Sequence, residues 1–285
     1  MHRIRFEKTG RAVWMSHLDL MRLMQRAFRR AGVNRLSLGI QTARDDSLAR
    51  LGRRHTAAQS RRALGMAVQA GFTDISGDLM LALPAYTMAE LDETIALLAE
   101  SGCTHISGYL LKIEPNTVFG KCPPEALPGD DAAADFYLAA VEKLAALGYA
   151  QYEISNFARP GFESRHNRIY WDCGDYLGLG PAAHSCMGGK RFATPAGTAA
   201  FLAAPAVYEP QGECTAEDYI MLQLRLSRGL SLSALRARYG VSFSSEKLRF
   251  LQTLAEHGLA VFDGSVLRLT PRGMLVQNSI LCELV

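Results

Sequence analysis

Short apolar strands alternate with amphipathic helices along the first 160 residues, and few folds accommodate that order. Arg35-Leu-Ser-Leu-Gly-Ile40 reads as a strand, followed by a helix after Thr56 with Gln59 as its capping partner and a stop at Gly71. Ile75–Leu81 is the next strand, with a helix capped by Thr87 and Glu90 that ends at Gly102. His105–Leu111 and Gln151–Phe157 read as two more strands, with a helix from about Asp131 to Gly148 between them. Before these, Arg3–Lys8 alternates like a half-exposed strand, and Ser16 opens a helix that runs to Gly32. Strand–helix–strand order predicts an α/β fold with a parallel sheet covered by helices. These units are too few for a complete eight-fold barrel, and their order leaves open whether the sheet closes.

In such sheets functional groups gather at the carboxyl ends of the strands. Gln41 and Asp78 end adjacent strands, and Arg53 lies in the loop beyond the first. An amide, a carboxylate and a guanidinium at one edge suit the ribose, amine and carboxylate groups of a nucleoside. A satisfied polar rim fits them equally well. The densest polar run follows the Gln151–Phe157 strand and contains Arg165-His-Asn-Arg-Ile-Tyr-Trp171. Imidazole nitrogen is a good axial ligand for haem iron, and aromatic rings pack against a macrocycle. His166, Asn167, Tyr170 and Trp171 supply such groups, and Arg159, Arg165 and Arg168 could meet propionates. Taken alone, the same run also reads as a well-bonded surface loop whose Trp171 plugs the core.

Composition narrows the classes further. With 285 residues, 48% of them hydrophobic and 21% charged, the chain can bury a sizeable core and is no disordered polyelectrolyte. Its longest uncharged stretch is interrupted by Pro195 and Pro205, which excludes a spanning helix. Residues 1–32 carry eight Lys/Arg against two Asp/Glu, which reads as a βα unit with a solvated basic face. Residues 215–285 contain helical patterns, an Asp263-Gly264 hairpin and a last helix after Pro271, as in a small winged-helix-like module. Eight Lys/Arg against six Asp/Glu there is a weak footprint for nucleic acid, so no nucleic-acid partner is expected. The six cysteines, at 103, 122, 173, 186, 214 and 282, include no Cys-x-x-Cys clip and no short-loop cluster. Nothing in this size class asks for disulfides, so the cytoplasm is the expected compartment. Walker, His-Glu-x-x-His and nucleophile-elbow patterns do not occur, and no catalytic residue is assigned.

From about Gly32 to the end the chain resembles the HemW-type haem chaperones. These belong to the radical SAM group that also contains the oxygen-independent coproporphyrinogen III oxidases. The resemblance rests on Gly32–Gln41, Leu51-Gly-Arg53, Asp78-Leu-Met with Leu83-Pro84, and Tyr152–Pro160. It rests also on His166-Asn-x-x-Tyr-Trp171, Gly174–Gly180 and Thr270-Pro-Arg-Gly273. It implies that His166, Asn167, Tyr170 and Trp171 bind haem, and that Gln41, Arg53 and Asp78 contact S-adenosylmethionine. One departure is Ala82, where the family usually has Gly. A larger one is the Cys-x3-Cys-x2-Cys loop for a 4Fe-4S cluster, which this sequence does not contain. Residues 1–32 instead resemble the opening of a radical-SAM-linked domain of unknown function.

The expected organisation is a foreign βα segment (1–32), a partial radical SAM barrel with the haem-associated loop (33–189), a linker with local helix (190–214) and the C-terminal module (215–285). The first functional reading is a haem carrier that passes haem to an acceptor protein, without radical chemistry. The second is an oxygen-independent coproporphyrinogen III oxidase-type radical SAM oxidoreductase. The third is a truncated, inactive remnant.

Overall fold

The computed structural model describes residues 17–204 and 207–285. The expected strand Arg3–Lys8 and the Ser16 cap lie outside them. The chain divides into two compact units, one of residues 1–149 and 158–162, the other of residues 150–157 and 163–285.

The first unit holds α1 (His17–Arg30), β1 (Arg35–Gln41), α2 (Asp45–Arg50), α3 (Ala57–Gln69) and β2 (Asp74–Leu81). It continues with α4 (Met88–Glu100), β3 (His105–Leu110), α5 (Val118–Lys121) and α6 (Asp130–Ala146). Strands β1, β2 and β3 are parallel neighbours, with Arg35 opposite Asp74 and Ser76 opposite His105. Arg35 also ion-pairs with Asp74 at 2.7 Å, which fixes that register from the side chains as well. Leu64, Ile75, Leu79, Leu91, Leu98, Ile106 and Leu144 are almost wholly buried between sheet and helices. Each contributes about 1.5–3 kcal/mol of transfer free energy, which is what holds these short helices in place.

The helix starts follow their caps. Thr56 and Gln59 form the complete reciprocal box at α3. At α4 only half of it forms. Thr87 accepts the Glu90 amide, while the Glu90 carboxylate is buried and accepts the Thr42 hydroxyl at 2.5 Å. A tertiary partner has taken the side chain that spacing assigned to the cap. Helix α2 lies in what reads from sequence as loop, and it starts at Arg44 without a side-chain cap.

The second unit contains β4 (Ala150–Glu153), most of β5 (Asn156–Ala158), α7 (Arg165–Trp171), β6 (His184–Met187) and β7 (Lys190–Ala193). Then follow α8 (Thr198–Ala203), β8 (Glu209–Glu213), α9 (Ala216–Gln223), β9 (Leu230–Ser231), α10 (Leu232–Tyr239) and α11 (Ser245–Glu256). The chain ends with β10 (Ala260–Phe262), β11 (Val266–Leu269), α12 (Pro271–Leu275) and α13 (Gln277–Leu284). The single strand expected over Gln151–Phe157 is two strands. The Glu153 carboxylate turns back to accept the Ser155 amide and the Asn156 side chain, and that local pairing breaks the strand. Residues 190–214, expected as a linker, carry β7, α8 and β8, and β7 lies between antiparallel β6 and β8.

In the C-terminal module the order β10-β11-β9 makes a small antiparallel sheet beside α9–α11. Asp263 shapes its turn, accepting the amides of Ser265 and Val266 and the guanidinium of Arg268. The Ser265 hydroxyl, which also donates to it, and then those donors hold its carboxyl well below the usual carboxylate range. Leu230, Leu235, Leu251, Leu254, Leu267 and Met274 pack together as the core of the module. Among the described residues no helix is long and apolar enough to cross a membrane. The architecture is a parallel α/β sheet unit joined to a helical, winged-helix-like module.

Candidate functional site

Two groups of polar side chains stand out, one in each unit. In the first, β1 ends in a bulge. Gly39 pairs with Asp78 and Gln41 with Leu79, so Ile40 is the extra residue and Gln41 takes a left-handed backbone at φ 71°. That conformation is costly for a side-chain-bearing residue and re-aims the amide. A Cβ on Gly39 would come 2.8 Å from Gln41 Nε2 and 3.9 Å from an Asp78 carboxylate oxygen, so the absent side chain at Gly39 leaves room for both. Asp78 accepts the Ser37 hydroxyl at 3.3 Å. Burial raises its carboxyl, while Ser37, Ser107 and the Arg53 guanidinium pull the other way. Gln41, Arg53 and Asp78, expected from sequence to act together, are therefore near one another. Ser37 and Ser107 belong with them. Their alternation with apolar neighbours in β1 and β3 was the available signal, but single serines in a strand carry little weight.

The second group is on α7. Residues 165–171, read from sequence as loop, are a helix, because Ser164 caps it by accepting the Asn167 amide. A helix places His166 and Tyr170 four apart on one face. The Tyr170 hydroxyl meets His166 Nε2 at 2.5 Å, and the rings stand edge to face at 4.7 Å. Tyr170 in turn packs on Tyr176 with ring centres 4.4 Å apart. His166 is exposed, as are Arg165, Arg168 and Ile169. Leu177 and Leu179 are 57% and 71% exposed nearby in sequence, leaving apolar side chains in water beside an imidazole.

Trp171 faces inward. The Arg225 guanidinium lies over its ring at 4.5 Å and ion-pairs with the fully buried Glu153 at 3.1 Å. The indole Nε1 is buried and has no acceptor among the described residues. The carbonyls that end α7 are capped by side chains. Gln223 donates to Trp171 O at 2.7 Å, and Arg238 donates to Asp172 O and Cys173 O at 2.8 and 2.7 Å. Cationic and amide donors at a helix C-terminus satisfy orphan carbonyls and suit the dipole. Arg228 pairs with Asp172. Gln223, Arg225, Arg228 and Arg238 are thus positioning residues that sequence reasoning missed. They lie more than 50 residues downstream, where nothing local points to them. The Arg159 guanidinium lies over the Tyr149 ring at 4.8 Å in the first unit.

The cysteines do not fit a 4Fe-4S cluster. Residues 1–102 contain none, and Cys103 is buried, its thiol pushed up to about 12 by burial and by Asp78. Among the described residues no group of three His, Cys, Asp or Glu side chains is placed to hold a metal ion. The α7 segment offers an exposed imidazole, exposed Ile169 and two flanking arginines.

Comparison with known proteins bears on the family and the fold. The Radical SAM superfamily model matches residues 15–98, and the HemN C-terminal domain model matches residues 215–276. The chain is 35% identical over 273 residues to Heme chaperone HemW of Bacillus subtilis, a match covering 92% of this chain and 72% of that protein. It is 43% identical over 157 residues to Heme chaperone HemW of Escherichia coli, covering 55% of this chain and 41% of that protein. It is also 33% identical over 288 residues to the mitochondrial radical S-adenosyl methionine domain-containing protein 1 of Bos taurus, covering 91% of this chain and 64% of that protein. Among solved structures, coproporphyrinogen III oxidase (HemN) from Escherichia coli, described as a radical SAM enzyme, matches in fold. Its TM-score is 0.74 at 21% identity, over 94% of this chain and 67% of that one. With a parallel α/β sheet, a HemN-type C-terminal domain and this identity along most of its length, the chain belongs to the HemW heme chaperone family of the radical SAM superfamily.

Proposed function

We propose that the chain binds haem through the α7 segment and passes it to an acceptor protein. The observation that carries this reading is the exposed His166 imidazole, fixed on a capped helix beside Tyr170 and exposed Ile169. In this reading His166 ligates the iron, and Ile169, Leu177 and Leu179 cover part of the macrocycle. Arg165 and Arg168 meet the propionates. Ligation through Nε2 exchanges the Tyr170 contact for iron, so every release is helped by return of the tyrosine hydroxyl. Such competition lowers affinity, which a carrier needs. Trp171 acts as the anchor of the helix, and Asn167 lies on the same turn as His166.

In the first unit, Gln41, Arg53 and Asp78 are proposed to hold S-adenosylmethionine, with Asp78 and its two serines suited to an amine or a ribose hydroxyl. The cysteine set gives no place for a cluster, so no radical step is derived for this chain.

The test of the carrier reading is transfer. The chain is loaded with haemin, freed of excess by gel filtration and mixed with apomyoglobin. The proposal expects haem to remain with the chain through filtration and then appear as holomyoglobin. If haemin separates from the chain on the column, the proposal fails.

A further inference from the structure

Cys173, Cys186 and Cys214 are far apart in sequence and close together in the second unit. Cys186 lies in β6 and Cys214 directly after β8, and their sulfurs are 3.6 Å apart. Cys173, just past α7, also borders Cys214. The approach has a backbone cause. Gly188 and Gly189, both with positive φ, make the tight turn between β6 and β7. The Cys214 amide donates to Gly189 O at 2.8 Å, which folds the end of β8 back toward β6. Two-glycine turns of this kind are the usual way to reverse a strand so sharply.

The three thiols differ in access. Cys186 and Cys173 are 1% and 4% exposed, and Cys214 is half-buried. Burial pushes the Cys186 and Cys173 thiols up to about 11, so neither competes as the first nucleophile at neutral pH. Cys214 is the thiol that a small molecule reaches. All six cysteines are free thiols in this structure.

We propose that Cys186 and Cys214 are a redox-active dithiol that closes to a disulfide with hydrogen peroxide as oxidant. The Cys214 thiolate attacks one peroxide oxygen, the O–O bond breaks, and a sulfenic acid forms as hydroxide leaves. The proton from the Cys214 thiol converts that hydroxide to water. The Cys186 sulfur then attacks the Cys214 sulfur. The S–S bond forms, the S–O bond breaks, and the departing hydroxide takes the Cys186 proton as a second water. Two thiols have lost two electrons and one peroxide has gained them. Closure needs the sulfurs to move together by roughly 1.5 Å, within reach of side-chain rotation at a strand end. Cys186 also exchanges both backbone hydrogen bonds with Tyr176, at 2.7 and 2.9 Å, and the Tyr176 ring packs on Tyr170.

The test uses the full chain with the two exposed cysteines replaced, Cys122→Ser and Cys282→Ser, to prevent cross-linking between molecules. The protein is treated with a few equivalents of hydrogen peroxide at pH 8, denatured, alkylated, digested and mapped by mass spectrometry. The expected result is a Cys186–Cys214 linked peptide, two fewer alkylated thiols and full recovery with dithiothreitol. Adding Cys214→Ser should abolish the loss of thiols. Full alkylation of Cys186 and Cys214 after oxidant, a Cys173–Cys214 link, or Cys214 carried on to sulfinic acid with Cys186 untouched would each overturn the proposal. No haem enters this experiment, so its failure and that of the carrier reading are separate events.

Discussion

Ala82 sits at φ 56° with its side chain almost wholly buried, just before Leu83-Pro84. The left-handed region costs an L-residue roughly 1–2 kcal/mol, part of which a glycine regains and part of which it loses in unfolded-state entropy. Ala82→Gly is therefore expected to stabilise the chain by about 0.5–1 kcal/mol, read as a higher urea midpoint. An unchanged or lower midpoint would show that the left-handed backbone at Ala82 carries no net strain. Tyr170 gives a prediction of a different sort. Its hydroxyl occupies the His166 nitrogen that iron would take. One hydrogen bond is worth on the order of 1 kcal/mol, so Tyr170→Phe should tighten haemin binding about fivefold. Weaker binding by that variant would mean that Tyr170 touches the haem and does not merely compete with it.

At the scale of elements, α7 is held from its C-terminal end. Glu153 is fully buried and relies on Arg225, Ser155 and Asn156 for its charge. Arg225→Met leaves that carboxylate without its cation. Because the arginine is about a third exposed, a cost of about 2–3 kcal/mol is expected. Glu153→Gln added to Arg225→Met should recover most of it. If the double variant is as unstable as the single one, packing of Arg225 on Trp171 matters more than charge. How much of this was legible in the sequence differs from element to element. Thr56 and Gln59 are three residues apart and announce α3 without help. Glu90 at the same spacing looks identical, yet its carboxylate belongs to Thr42, a partner 48 residues away. Helix α7 hid behind a polar aromatic run whose helicity depends on Ser164 and on donors from α9 and α10. Strands β7 and β8 hid behind Ala, Pro and Gly, because a short antiparallel sheet needs little apolar alternation. Gln41, Arg53, Asp78 and the α7 residues were legible by type, whereas Ser37 and Ser107 were not. Their positioning partners were not, since a side chain reaching a distant carbonyl leaves no periodic trace.

For the whole molecule, pH is the probe that separates a folded core from its surface. His105 is buried on β3 beside Ser76 of β2, with its ring nitrogen 2.7 Å from the serine hydroxyl. Burial, reinforced by Arg35, pushes its pKa down to about 3. The unfolded chain takes up that proton near pH 6.5, so below this value the unfolded state binds more protons than the native one. Stability from the neutral ring is complete above about pH 6.5 and is lost as pH falls toward 3. Between pH 7.5 and 4.5 this group should remove about 2–3 kcal/mol of unfolding free energy. His105→Asn, less stable at pH 7.5, should lack that part of the slope, and an unaltered slope in it would assign the acid sensitivity elsewhere. Asp78 belongs to the nucleoside-type group, so Asp78→Ala should abolish S-adenosylmethionine binding in calorimetry, and unchanged binding in that variant would remove Asp78 from the proposed site.

The account turns on a single imidazole. Haemin titrated into the purified chain and followed at the Soret band tests it most directly, with His166→Ala and the same variant plus free imidazole run in parallel. A saturable Soret shift in the parent chain, its loss in His166→Ala and its partial return with imidazole are the results expected. An identical Soret titration in parent and variant would contradict the assignment of His166 as the haem ligand.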